Sequence, residues 1–449
     1  MRHQRSQAYT ILRDLGDGLI LRRSTPDDAE ALAAFNARIH SDAGPEHPSV
    51  GIAAWTQDLL TGDHPSFGVA DFTIVEEART GAIVSSLNLI SQTWAYDGIP
   101  FGVGRPELVG TCPEYRHRGL VRAQFEVIHQ WSAERAEQVQ AITGIPWYYR
   151  QFGYEMGLNL DGGRLGYRPH IPLLQGGETE PYRVRPATAA DLPCIAPIVE
   201  HANTRYRVTC VRDAALWHYE AFGKSEQNTT RAVMCVIDAA DGASVGFLAH
   251  PARLWGPTQV AWVYELKPGV SWVAVTPSVI RYLHTVGEAH ARRDKGEFGA
   301  FGFWLGRAHP VYDAIPGRLP YTRPPYAWYL RVPDLPGFIR HIAPALERRL
   351  ATSVIVGYTG EVKLSFYRRG LRLAFHQGCL RASEAWQPTP NERGTAAFPD
   401  LTFLQLLFGY RTLEELRYAF ADCWVENDAT QAVLEALFPR QDSDVWPIA

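Results

Sequence analysis

The sequence predicts a multidomain chain, mixed α/β through most of its length and α+β at its end. Three observations carry this. Strand-like and helix-like runs alternate from Leu19 to Gly153, part of that pattern recurs after residue 180, and the character of the chain changes beyond Arg331. At 449 residues the chain also exceeds what one hydrophobic core usually supports, so two or three domains are expected.

Leu19 to Arg22 reads as a short strand. Thr25-Pro26-Asp27-Asp28 then supplies a helix cap, a first-turn proline and early acidic residues, so a helix is predicted to about His40. Residues 72 to 76 and 82 to 92 read as strands joined by a Thr80-Gly81 turn, and 99 to 111 as a further strand. Leu120 to Gln138 has helical periodicity, Gln140 to Ile145 reads as a strand, and Trp147 to Gly153 allows only a brief helix.

Leu21-Arg22-Arg23-Ser24-Thr25-Pro26-Asp27-Asp28 is echoed by Val184-Arg185-Pro186-Ala187-Thr188-Ala189-Ala190-Asp191, with Arg, Thr and Asp in step. Duplication explains the echo, and so does a common capping sequence arising twice; duplication is favoured. The linker-like Gly176-Gly177-Glu178-Thr179-Glu180-Pro181 places a boundary near residue 178, and Arg331-Val332-Pro333-Asp334-Leu335-Pro336 places a second. After it come an amphipathic run, Phe338 to Leu350, and a hairpin pair, Glu361 to Tyr367 and Leu371 to His376. Apolar helices follow at Leu401 to Phe408 and Ala429 to Leu437.

Composition narrows the function. A formal charge of -4 argues against a nucleic-acid binder, and no apolar run suits a signal peptide or a membrane span, so a cytoplasmic protein with no membrane partner is expected. The six cysteines are scattered without CxxC pairs or zinc-type histidine spacing, which predicts reduced thiols and no metal.

The informative segment runs from Glu107-Leu108-Val109-Gly110-Thr111 through Cys112-Pro113-Glu114-Tyr115 to Arg116-His117-Arg118-Gly119-Leu120-Val121-Arg122. A strand ends, a loop turns, and Arg-x-x-Gly opens a long helix. The first turn of a helix has unpaired N–H groups and partial positive charge, a glycine permits close approach, and arginines add donors, so the segment suits a pyrophosphate. A solvated basic turn is the plainer alternative. Downstream lies Gly144-Ile145-Pro146-Trp147-Tyr148-Tyr149-Arg150-Gln151-Phe152-Gly153-Tyr154.

Together these segments resemble the GNAT acetyltransferase superfamily, whose Arg-x-x-Gly-x-Gly/Ala loop holds acetyl-CoA and whose short helix carries Tyr-x-x-x-Gly-Phe/Tyr. Val121 departs from the family's Gly or Ala. Over its whole length the chain resembles the enhanced intracellular survival (Eis) type. That resemblance implies an active GNAT domain (1–178), a degenerate GNAT-like domain (179–330) and a sterol-carrier-protein-like domain (331–449). In the second copy the CoA strand is expected near Trp272 to Thr276, followed by Pro277-Ser278-Val279-Ile280 with no Arg-x-x-Gly.

The resemblance implies an N-acetyltransferase that moves acetyl from acetyl-CoA to a primary amine of an aminoglycoside-like polyamine, a lysine or a small amine. Val109, Gly110 and Thr111 are expected to pair with the pantetheine arm, and Arg116, His117, Arg118, Gly119, Leu120, Val121 and Arg122 to hold the diphosphate. It places the proton donor to the CoA sulfur at Tyr149, four residues before Gly153; Tyr148 and Tyr154 are read as packing residues. The base is the C-terminal carboxylate of Ala449 or, as a rival, Glu107, which strand alternation turns to the side of Val109. Phe35, Asp42, Glu46 and Trp55 are candidates for the acceptor wall. The resemblance further suggests a homo-oligomer, as large as a hexamer. A ligand-binding protein using the third domain is the alternative from a different class.

Overall fold

The computed structural model describes residues 10–61 and 63–447. Its first stretch holds strands Ile11–Gly16 (β1) and Leu19–Arg23 (β2), helices Ala29–Ile39 (α1) and Val50–Leu60 (α2), then Phe72–Glu77 (β3), Ala82–Tyr96 (β4) and Ile99–Thr111 (β5). Helix Leu120–Glu134 (α3) follows, with Val139–Ile142 (β6), Glu155–Leu160 (β7) and Gly163–Tyr167 (β8). The second stretch holds Tyr182–Pro186 (β9), Leu192–Asn203 (α4), Val208–Val211 (β10), Ala214–His218 (α5), Ala232–Ala239 (β11), Ser244–Pro251 (β12), Thr258–Ala261 (β13) and Val263–Leu266 (β14). It continues with Trp272–Asp294 (α6), Ala300–Phe303 (β15), Pro310–Ala314 (α7), Tyr321–Arg323 (β16) and Tyr326–Arg331 (β17). The last holds Leu335–His341 (α8), Ala343–Ala351 (α9), Gly360–Ser365 (β18), Gly370–His376 (β19), Cys379–Trp386 (β20), Ala396–Ala397 (β21), Phe403–Leu407 (α10), Leu413–Ala419 (α11), Trp424–Val425 (β22) and Asp428–Leu437 (α12).

The echo seen in the sequence becomes the same clamp built twice. Arg22, on β2, donates to both oxygens of Asp28 at 2.8 and 2.7 Å and to Glu76 of β3, while Asp28 caps the backbone N–H of Thr25 at 2.9 Å. Arg185, on β9, donates to both oxygens of Asp191 at 2.8 Å and to Asp238 of β11 at 2.7 Å, and Asp191 caps Thr188 at 2.7 Å. In each case a strand arginine ties the next helix start to a neighbouring strand through bidentate, charge-assisted bonds.

Sheet membership crosses the first boundary expected from the sequence, near residue 178. The first sheet runs β1-β2-β3-β4-β5-β6-β17-β7, with β10 on the outer part of β4. Its strand β17 therefore arrives from beyond residue 320 and pairs antiparallel with β6 and β7. In return β8 joins β15 and β16 in the sheet β13-β15-β8-β16. A third sheet, β14-β12-β11-β9, and a fourth, β20-β19-β18-β21-β22, complete the fold.

On one face of the first sheet α1 and α2 bury Leu32, Phe35, Trp55 and Leu59 against Ile74, Ile90 and Leu108. On the other, α3 buries Phe125, Ile128 and Trp131 against Leu87 and Leu89. Each such side chain contributes about 1.5–3 kcal/mol of hydrophobic stabilisation.

One expectation is overturned. Trp272 to Thr276, expected as the second copy's CoA strand, is the first turn and a half of α6. The Ser271 hydroxyl accepts from the Ala274 N–H at 3.3 Å, and Val275, Val279, Ile280, Leu283 and Ala291 form a buried stripe at helical spacing. Cap and period outweigh local strand propensity. The strand preceding that helix is β14.

Candidate active site

The site starts from a break in strand pairing. β5 and β6 run parallel only at Val103–Val139 and Gly104–Gln140, and then diverge. The register of β5 against β4 slips between Gly110 and Glu107, with Leu108 in a left-handed conformation at φ 51°. A bulge of this kind bends a strand and re-aims its groups. Beyond it one edge of β5 has no partner strand among the described residues, and the opening leads to the N-terminus of α3.

There a cleft of about 630 Å³ has formed. Val109, Gly110, Thr111, Arg116, His117, Arg118, Gly119, Leu120, Val121 and Arg122 all line it, with Ile39, His40, Tyr115, Tyr148 and Phe152. Gly119, at φ 75°, precedes α3 in the left-handed region and has nothing within 4 Å of where a Cβ would stand. Its bare backbone leaves the helix start open to a ligand. Gly110 is demanded by close approach: a Cβ there would lie 2.8 Å from Ile39 Cγ2 and 3.2 Å from His40 Nε2. Arg118 pairs with the exposed Asp17 at 2.9 Å, and Arg122 donates to Gln151 at 3.0 Å. A strand edge with free amides beside a helix start ringed by cations fits the arm and diphosphate of a coenzyme A thioester.

Tyr149 stands behind the cleft and is not among the residues that line it; its neighbours Tyr148 and Phe152 are. It lies in the turn Tyr148–Phe152, 3% exposed, packed with Leu87, Phe125, Tyr154 and Tyr329. Among the described residues its hydroxyl has no hydrogen-bond partner. Burial, reinforced by the nearby Glu107, pushes the phenol above its ordinary range, so it is protonated at neutral pH. Tyr154 is buried and bonded to His129 at 2.9 Å, whereas Tyr148 faces the cleft.

Glu107 is held by Arg105 in a buried ion pair. Burial raises the Glu107 carboxyl, against the pull of Arg105. Arg105 is fully buried; its Nε and Nη1 have no partner among the described residues, and its guanidinium lies 4.7 Å over the ring of Trp328. Glu220, paired with Lys224 at 2.8 Å, lies within electrostatic reach of both Arg105 and Arg212.

Arg212 leads to the chain's end. It donates to the carbonyl of Trp446 and stacks on Trp217 and Trp446, at 4.5 and 5.1 Å. The tail is threaded along β10, with Arg207 N–H donating to the Asp442 carbonyl at 2.8 Å and Asp444 N–H to that of Val208 at 2.9 Å. Ala449 lies outside the described residues, two positions past Pro447, the last of them.

The acceptor candidates divide. Phe35 and Trp55 are core residues, while Asp42 and Glu46 are exposed on the segment joining α1 to α2. His40 was not foreseen. It closes the C-terminus of α1 and lines the cleft beside Gly110, its Nε2 without a partner among the described residues, and burial lowers its pKa so that the ring is neutral. No local motif marks it.

Residues 22–157 match the acetyltransferase (GNAT) domain family. The chain is thus an acyltransferase enzyme carrying a GNAT acetyltransferase domain. Over 95% of its length it has the fold of a GCN5-related N-acetyltransferase from Kribbella flavida, with a TM-score of 0.63, 17% identity and 97% of that chain covered. A GCN5-related N-acetyltransferase from Anabaena variabilis matches 95% of this chain and 99% of its own, with a TM-score of 0.61 and 14% identity. Eis1 from Mycobacterium abscessus matches 95% and 98%, with a TM-score of 0.56 and 13% identity. No curated protein sequence is significantly similar to the chain. Among the described residues no helix is long and apolar enough to cross a membrane, and no group of His, Cys, Asp and Glu could hold a metal ion.

Proposed function

We propose that the chain transfers acetyl from acetyl-CoA to a primary amine by direct attack on the thioester. The observation that carries this reading is the cleft at the start of α3, where the split of β5 from β6 meets Gly119 and its flanking cations. Val109 to Thr111 would align the pantetheine arm and Arg116 to Arg122 the diphosphate. The amine forms the new C–N bond as the C–S bond breaks; Tyr149 gives its proton to the departing thiolate, and the base takes one from the nitrogen. The base is assigned to the Ala449 carboxylate. Arg212 holds the tail at Trp446, which supports this choice. Glu107, already ion-paired, is the second choice.

The repeated arginine clamp supports reading residues 179–330 as a second, degenerate copy of the GNAT unit; the separate sheet β20-β19-β18-β21-β22 supports reading residues 331–449 as a domain of its own, the sterol-carrier-like one. A CoA-release assay across a panel of primary amines tests the activity. Turnover with polyamines is expected, and an enzyme silent toward every amine while binding acetyl-CoA would reject the acceptor class.

A second reading rests on a cavity of about 470 Å³ lined by Leu335, Phe366, Leu371, Trp386 and Phe403, with Arg369 among its lining. It suits an apolar ligand in the C-terminal domain, and delipidated protein challenged with a fatty-acyl probe tests it.

A further inference from the structure

The loop that delivers Tyr149 is strained, and the groups restraining it come from far along the chain. Gly144 has φ 110° and Trp147 has φ 62°. For a residue as bulky as tryptophan the left-handed region is costly, and such a conformation persists only where its surroundings over-determine it. The indole does little of that, being 61% exposed with Arg150 stacked at 4.5 Å.

Two phenols of β17 do it instead. The Tyr329 hydroxyl accepts the Trp147 N–H at 2.8 Å, and the Tyr326 hydroxyl donates to the Gly144 carbonyl at 2.9 Å. The two hydroxyls lie 3.3 Å apart, so they form one bridge spanning both ends of the loop. Trp147 is the residue from which the Tyr148–Phe152 turn begins. The Tyr329 ring packs edge-on against Tyr149 with centroids 5.9 Å apart, and a Cβ at Gly144 would stand 3.9 Å from the Tyr149 hydroxyl. Among the described residues Tyr149 thus has no hydrogen bond of its own to aim it, and Gly144 and Tyr329, both beside it, are held by the tyrosine bridge.

We propose that Tyr329, with Tyr326, is a positioning residue for Tyr149: the inserted strand β17 holds the Gly144–Trp147 loop and so sets where the phenol meets the CoA sulfur. This rests on the reading of Tyr149 as proton donor. Neither tyrosine lines the cleft, and their effect passes through Tyr149.

A double-mutant cycle separates that role from packing. Tyr329→Phe keeps the ring and removes the hydroxyl that accepts from Trp147 and meets Tyr326, so circular dichroism and acetyl-CoA binding are expected to be unchanged. With Tyr149 present, kcat should fall about tenfold while the KM for acetyl-CoA stays within about twofold. In a Tyr149→Phe background the same change should cost nothing further. Equal losses in both backgrounds, or no loss in either, overturn the proposal. If Tyr149→Phe alone leaves kcat intact, the proton-donor assignment itself has failed, a distinct result. Should Tyr329→Phe fail to fold, Tyr326→Phe, at a partly exposed position, carries the same cycle, supporting or overturning the proposal by the same pattern of losses.

Discussion

Arg22 grips Asp28 with both guanidinium nitrogens while each is almost wholly out of water, at 0% and 3% side-chain exposure. Arg185 grips Asp191 with the same geometry at 30% and 14%. Geometry is repeated and environment is not. Asp28→Asn removes one of two buried carboxylate partners of Arg22 and leaves Glu76, so it is expected to destabilise by about 2 kcal/mol. Asp191→Asn should cost less than about 1 kcal/mol. Urea unfolding of the two variants checks this, and equal midpoints would contradict it.

Tyr149→Phe removes one buried hydroxyl and leaves the ring in place. It should lower kcat by about 100-fold or more with acetyl-CoA affinity, read by calorimetry, unchanged. Because burial raises this phenol, it stays protonated above pH 10, and no fall in kcat from its ionisation is expected between pH 7 and 10.

Gly110→Ala and Gly119→Ala should both raise the KM for acetyl-CoA, by about tenfold, for different reasons. The first drives a methyl into Ile39 and pushes α1 off β5. The second places a residue with a Cβ in the left-handed region, at about 1 kcal/mol, and puts that Cβ in the cleft. Steady-state kinetics with acetyl-CoA varied reads both, and thermal unfolding should show the larger loss for Gly110→Ala.

Removing Ile448 and Ala449 should abolish turnover while leaving acetyl-CoA binding intact, whereas Glu107→Gln should retain turnover within a few-fold in the folded fraction. The reverse pattern would move the base to Glu107. Glu107→Gln should also lower stability by about 2 kcal/mol, because the fully buried Arg105 loses its charged partner.

Asp444 predicts a pH effect. Burial, with Glu265 and Asp161 adding repulsion against the pull of Arg212 and Arg205, pushes its carboxyl up to about 6. A raised carboxyl stabilises the fold when protonated, so that contribution is fully present below pH 3.8 and is lost as pH rises toward 6. Asp444→Asn should therefore be more stable than the parent at pH 7.5, with the gap closing by pH 4. Denaturation at the two values measures it.

What the sequence made legible was local. The Thr25 cap, the span of β3 to β5 and the residues lining the cleft all follow from patterns within a few residues of each other, as does the Arg-x-x-Gly entry to α3. What stayed hidden depends on distant partners. Nothing in Tyr326-Ala327-Trp328-Tyr329 announces pairing with β6, and His40 gains its place only because Gly110 lets α1 approach. The segment after Ser271 failed for the opposite reason: its tryptophan, valines and threonine favour a strand, and a buried helical stripe overrules them.

The exchange of β8 and β17 also sets a timetable for synthesis. At the usual 5–20 residues per second, a ribosome that has just finished Ile142 needs roughly 10–40 s to reach Tyr326. Throughout that interval β6 has a bare edge, open to wrong partners. The nascent first half must therefore be sheltered until the second half emerges, and a ribosome pause within residues 143–325 would prolong its exposure to aggregation.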